Sequence, residues 1–224
     1  MEGTQNLKAL FSATVSRPNR IAIIIIVLFH VVGTIGFILP SLDVVFLQLV
    51  PWHLLLMTAV IIYSHNRPDG KLLLFALLIV IIGFMAEFTG VHTGLLFGSY
   101  TYGETLGIQL FGIPLMIGVN WFLLIYATGV VLQRSRIKNR LIRIITGALI
   151  LVMLDILIEP IATHFDYWHW AGNSIPLKNY ICWFLLSALL LFIFEKFKFK
   201  HQSMVAAVLL IMQFVFFGVL GIVG

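Results

Sequence analysis

Seven apolar runs dominate this chain, at about residues 21–39, 44–63, 72–91, 107–132, 141–159, 178–195 and 204–222. Each approaches the roughly 20 residues that a helix needs to cross the hydrocarbon of a bilayer. Backbone groups in lipid must bond one another, so runs of this kind span as helices. Pro51 and residues 107–114 make the second and fourth runs the least regular. Only 10% of the residues are charged, against roughly 25% in soluble domains. The chain therefore reads as all-α, a polytopic membrane bundle of about seven helices. Residues 1–20 form a polar, basic N-terminal segment and 21–224 a single transmembrane domain, with no connection long enough to fold separately.

The formal net charge is +5, but its placement speaks for topology rather than for nucleic acid. All but one of the 14 Lys and Arg residues precede the first run, lie between the second and third, fourth and fifth, or sixth and seventh, or, as Arg143, sit at the start of the fifth. Lys178 is the exception. The positive-inside rule then puts the N-terminus in the cytoplasm and the C-terminus outside. No small-residue cleavage site follows the first run, so no removable signal peptide is expected. Cys182 is the only cysteine, which excludes an intramolecular disulfide and a cysteine-based metal cluster.

Asp155 and Glu159 lie four residues apart in a stretch, 141–160, otherwise charged only at Arg143. A charged carboxylate at the centre of a membrane helix costs about 2.5–3.5 kcal/mol on insertion scales, so such groups face a bundle interior or a wet cavity. Glu87, late in the third run, falls in the same outer half. Two long outer loops, near 92–106 and 160–177, carry almost no Lys or Arg and many rings: Tyr100 and Tyr102 in the first, Trp168 and Trp170 in the second, with His164 and Asp166 beside them. Such rings suit the headgroup belt; beside three carboxyl groups they also suit the lining of a site. A pattern recurs as well. Glu87 is followed by Tyr100-x-Tyr102, Pro114 and, seven residues on, Trp121; Glu159 is followed by Trp168-x-Trp170, Pro176 and, seven residues on, Trp183.

Absences narrow the chemistry. No His-x-x-x-His, His-x-x-His-His or His-Glu-x-x-His cluster occurs, the last run has no Lys for a Schiff base, and no Gly-rich phosphate loop exists. No metal or cofactor is expected, and His30 and His53 read as satisfied interior histidines. Acid–base chemistry in an apolar, aromatic-walled cavity remains. Two neighbouring carboxyl groups there cannot both shed their protons cheaply, so one can donate while the other stays an anion. A proton donor beside aromatic faces suits an alkene, whose carbocation the rings stabilise.

Glu87-Phe-Thr-Gly90, Phe97-Gly98-Ser-Tyr100-Thr-Tyr102, Gly112-Ile-Pro114 with Asn120-Trp121, Asp155-x-x-x-Glu159-Pro160, Trp168-His-Trp170 and Ile175-Pro176-Leu-Lys-Asn179 with Trp183 resemble the integral-membrane carotenoid biosynthesis family. Its CruF-type members are carotenoid hydratases, including the bisanhydrobacterioruberin hydratases. The resemblance covers residues 87–121 and 155–183. It implies addition of water across the terminal C1–C2 double bond of an acyclic carotenoid end group, without cofactor or metal, in a prokaryotic inner or plasma membrane. One of Asp155 and Glu159 is then the expected general acid, and the other, or Glu87, the group that holds and deprotonates the water. Tyr100, Tyr102, Trp121, Trp168, Trp170 and Trp183 are expected around the end group, Asn120 and Asn179 in polar positioning, and His164 and Asp166 near the water entrance. The expected partners are a carotenoid and membrane lipid. A carotenoid cyclase or isomerase would share the cation and quench it differently; a proton-coupled transporter or lipid-binding protein would use the same carboxyl groups as a relay.

Overall fold

A computed structural model describes residues 17–66, 68–200 and 202–223; most of the N-terminal segment, together with Arg67, lies outside the described residues. Seven helices account for most of it: α1 (Arg17–Ile38), α2 (Asp43–Ser64), α3 (Gly70–Thr93), α4 (Leu115–Arg134), α5 (Arg140–His164), α6 (Leu177–Phe197) and α7 (Val205–Val223). All seven are long and apolar enough to cross a membrane. Their outward faces carry Ile24, Val44, Leu73, Leu141 and Leu185, each more than half exposed, a surface that lipid covers and water would not. The protein is a multi-pass membrane protein.

Two helix ends differ from the hydropathy reading. The fourth helix starts at Leu115, because β2 (Gln109–Leu110) and β3 (Ile113–Pro114) form a hairpin ahead of it. Phe111 (φ 55°) and Gly112 (φ 75°) make its two-residue turn, with the positive φ at both positions that a tight antiparallel hairpin requires. Helix α5 continues through Pro160 to His164. A proline this close to a C-terminus removes one backbone bond rather than a series.

The remaining strands, β1 (Tyr100–Tyr102) and β4 (Trp168–Trp170), follow α3 and α5 and pair with each other. They lie at the end of the bundle opposite the loops that carry most of the described Lys and Arg. Helices α3 and α5 both begin with a side-chain cap: Asp69 Oδ1 accepts from Lys71 N and Leu72 N, and Asn139 Oδ1 from Leu141 N and Ile142 N. Helices α4 and α6 both begin after a proline, Pro114 and Pro176. The α3–α4 and α5–α6 units are thus built alike. Helix α4 is central, with every residue from Trp121 to Val130 buried, while α1, α2 and α7 pack together along one side. Arg143, the one cation of residues 141–160, is held near the basic end by a two-pronged pair with Glu195 of α6, at 2.7 Å on both prongs.

Candidate active site

Antiparallel pairing of β1 with β4 sets Tyr100 opposite Trp170 and Tyr102 opposite Trp168. Side chains alternate along a strand, so these four rings share the face turned to the bundle, while Thr101 and His169 point away and are exposed. The ring face closes over two carboxyl groups, one from each of the similar units.

Glu87 of α3 accepts three hydrogen bonds: from Tyr100 Oη (2.5 Å) and Tyr102 Oη (2.8 Å) on Oε2, and from Trp121 Nε1 (2.9 Å) on Oε1. Burial, reinforced by the charge of Glu87, holds both phenol protons well above their ordinary range, so the two tyrosines act as fixed donors. Gly90 makes the approach of Tyr100 possible, since a Cβ there would lie 2.7 Å from its hydroxyl.

Glu159 of α5 is held in the same way by different groups. Trp168 Nε1 (3.1 Å) and Trp170 Nε1 (2.7 Å) donate to Oε2, and Asn179 Nδ2 (2.9 Å) donates to Oε1. Asn179 also donates to Asp155 Oδ2 at 2.8 Å. Asp155 Oδ1 is buried with no partner among the described residues. Trp121 and Trp183, which hold corresponding positions after Pro114 and Pro176, meet across the two units with ring centroids 4.4 Å apart. The units differ where it matters. Gly83 stands four residues before Glu87, where Asp155 precedes Glu159, and a Cβ at Gly83 would collide with Trp121. Ile117, not an asparagine, stands three residues after Pro114.

Two spaces adjoin this cluster. The smaller, about 20 Å³, is lined by Glu87, Glu159, Tyr100, Tyr102, Asn179 and Trp183 among others; it is the size of one water molecule, which needs about 10–15 Å³ of such space. The larger, about 330 Å³, is an apolar chamber between α1, α2, α4, α5 and α7, within the range of small-ligand sites. Trp168 and Ile117 line both and form the partition. Phe29, Val32, Leu49 and Trp52 line the chamber and are also exposed on α1 and α2, so it opens toward lipid.

Of the residues singled out in the sequence, Glu87, Glu159, Tyr100, Tyr102, Trp121, Trp168, Trp170, Asn179 and Trp183 come together here. Asp155 belongs to the cluster through Asn179 but lines neither space. Asn120 lines the chamber, away from the carboxyl groups. His164 and Asp166 are not in the cluster: His164 is exposed at the end of α5, and Asp166 clasps the outer loops, accepting from Glu104 N (3.0 Å) and His169 Nε2 (2.6 Å). Those two donors hold its carboxyl below the ordinary range. Sequence reasoning expected an apolar cavity but, apart from Asn120 and Trp168, missed the residues that line this chamber. Ile117, Ile158, Leu106 and Phe216 are indistinguishable from other core residues in sequence, but His30 and His53 carried a signal, two histidines in apolar helices. His30 is satisfied by Ile26 O at 2.8 Å, yet both rings face the chamber. No group of three or more His, Cys, Asp or Glu residues suited to a metal ion occurs among the described residues.

Comparison with known proteins points the same way. The chain is 28% identical over 116 residues to the bisanhydrobacterioruberin hydratase of Haloarcula japonica; the match spans 49% of this chain and 40% of that protein. No solved structure matches. A family described as carotenoid biosynthesis protein matches residues 49–224, which include every carboxyl group, ring and strand of the cluster. With the match covering more than three-quarters of its length, the chain belongs to the carotenoid biosynthesis protein family.

Proposed function

We propose that this protein is a carotenoid hydratase, adding water across the terminal C1–C2 double bond of an acyclic end group to give a tertiary alcohol. The observation that carries this reading is a one-water space, flanked by Glu87 and Glu159, separated only by Trp168 and Ile117 from an apolar chamber open to lipid. The end group enters the chamber from the membrane, and the rest of the polyene stays between helices and lipid. With Trp168 and Ile117 displaced from between the two spaces, the end group reaches Glu159, which delivers a proton to C2. The positive charge develops at the dimethyl-substituted C1, where indole faces stabilise it. Water held between the carboxyl groups adds to C1 and gives its proton to Glu87, so one water is consumed and no electrons are exchanged. Proton return from Glu87 to Glu159 restores the starting state.

Asp155 is a positioning residue in this scheme. It fixes Asn179, which in turn fixes Glu159 Oε1. The rival cyclisation reading lacks a use for a polar, water-sized space at the reacting end. Transport would require a chain of bonded polar groups toward the basic end, whereas Thr128 and Ser187, deeper in the bundle, have buried hydroxyls without partners among the described residues. Expression in hosts accumulating lycopene, gamma-carotene or bisanhydrobacterioruberin, followed by mass analysis of the pigments, tests the proposal. A product heavier by one water supports it, and a product of unchanged mass favours cyclisation or isomerisation. Absence of any new pigment from all three, with the protein present in the membrane, would overturn it.

A further inference from the structure

One bulky residue beside the carboxyl groups has a backbone that ordinary packing does not explain. Phe97, between α3 and β1, has φ 62°, in the left-handed region that a bulky side chain rarely enters. Gly98 N donates to Leu96 O at 2.7 Å and closes a three-residue turn around it, of a kind that is rare and strained when φ is positive. Phe111 shares this sign of φ, but its hairpin requires it. A glycine would meet the geometry at position 97 without strain, so a ring there points to a task for the ring. Strain of this kind collects at functional sites.

Of residues 92–99 only Phe97 is buried, while Leu95 and Ser99 nearby are exposed at the strand-bearing end. At 2% exposure, Phe97 lines the water-sized space together with Glu87 and Glu159. Its ring meets Tyr100 edge to face, with centroids 6.2 Å apart. The turn is wedged between helices: a Cβ at Gly90 of α3 would lie 2.9 Å from Phe97 Cδ2, and one at Gly98 would lie 2.7 Å from Cγ of Pro176, ahead of α6.

We propose that Phe97 is a positioning residue for the reacting water, a stopper that closes the water-sized space against the solution at the strand-bearing end. Trp168 and Ile117 close the same space against the chamber, so water and polyene reach the carboxyl groups from different sides. With the ring in place the space holds one water and excludes further ones, which keeps the carboxyl groups in a setting where their effect on developing charge is strongest. Each turnover consumes that water, and the Phe97 ring is the element that yields to admit the next. The inference rests on the reading of this space as the seat of the reacting water.

The test compares Phe97→Gly, which suits the turn and deletes the ring, with Phe97→Leu, which keeps an apolar side chain in its place. Phe97→Asn, also at ease with positive φ, repeats the deletion. The full chain in lipid nanodiscs is followed by acrylamide quenching of tryptophan fluorescence and by pigment hydration over a range of pigment-to-lipid ratios. Quenching is expected to rise in the two deletions, because Trp168, Trp170 and Trp183 line the space and are shielded at 6–8% exposure, whereas Trp52 is exposed throughout. The kcat is expected to fall about tenfold, equivalent to about 1.4 kcal/mol on the barrier, with KM unchanged because the polyene enters on the chamber side. Phe97→Leu is expected to keep quenching low and to recover most of kcat. Unchanged quenching in both deletions overturns the stopper, as does a loss confined to KM or one that Phe97→Leu fails to recover. Absence of hydration by the wild type overturns the hydratase reading whatever the quenching shows, whereas wild-type hydration with unchanged quenching in the deletions removes the stopper alone.

Discussion

Asn179 carries more of the site than a single polar residue usually does, and its removal has a calculable cost. Its amide nitrogen donates to Asp155 Oδ2 at 2.8 Å and to Glu159 Oε1 at 2.9 Å. Asn179→Leu keeps the approximate volume and deletes both bonds. Glu159 retains its two indole donors, but Asp155 is left with no donor, because Oδ1 already lacks one. A hydrogen bond to a charged group contributes about 1.5–3 kcal/mol. Bonds between membrane helices average about 0.6 and reach about 1.7 kcal/mol, since the separated helices find other partners. Two bonds to buried carboxyl groups fall between these limits, and a loss of about 2–4 kcal/mol is expected. For a chain of this size that corresponds to a melting point about 5–15 °C lower, measurable in detergent or nanodiscs by intrinsic fluorescence. Pigment conversion should fall further than the loss of folded protein explains, because Glu159 is no longer oriented. A variant that melts within about 1 °C of the wild type and hydrates at the wild-type rate would refute the bridging role.

Other expected outcomes divide the roles of the carboxyl groups and of the outer loops. Glu159→Gln and Glu87→Gln are each expected to lower pigment conversion by about 10²–10⁴, the usual contribution of a general acid or base, whereas Asp155→Asn, which lines neither space, retains measurable turnover; equal losses in all three would put Asp155 in direct contact with substrate. Gly90→Ala sets a methyl group 2.7 Å from the Tyr100 hydroxyl and 2.9 Å from Phe97 Cδ2, and a thermal melt should record a loss of about 1–3 kcal/mol, typical of overpacking. The lowered carboxyl of Asp166, outside the spans, makes its loop clasp fully effective above the ordinary value near 3.8 and weaker as pH falls through the lowered one. Proteolysis of the outer loops should therefore stay flat from neutral pH to about pH 4 and rise only below it, and Asp166→Asn should remove that acid dependence.

The span pattern was legible because hydropathy over twenty residues is a local property, and lipid permits only one way of satisfying the backbone. The start of α4 was not, since the Phe111-Gly112 turn depends on a hairpin the apolar run conceals. Glu87, Glu159, the four strand rings and the two tryptophans that meet across the units were visible as a recurring motif. Asp166 and His164 sat beside them in sequence and were expected near the water entrance, but an exposed loop leaves a polar residue free to bond locally, and Asp166 does so with Glu104 and His169.

The sequence by itself determined a seven-helix membrane protein with three carboxyl groups near one end and two aromatic loops to cover them. It also drew attention to Asp155 and Glu159 as a pair, because four-residue spacing on one helix is what a linear chain can display. Only the tertiary structure decided that the carboxyl group across the water-sized space from Glu159 is Glu87. The two come from different helices and are brought together by the pairing of β1 with β4 and by the contact of Trp121 with Trp183. The chamber, too, exists only in three dimensions. It is a gap among five helices whose individual residues read as ordinary core, and its shape follows from how those helices pack rather than from any local pattern.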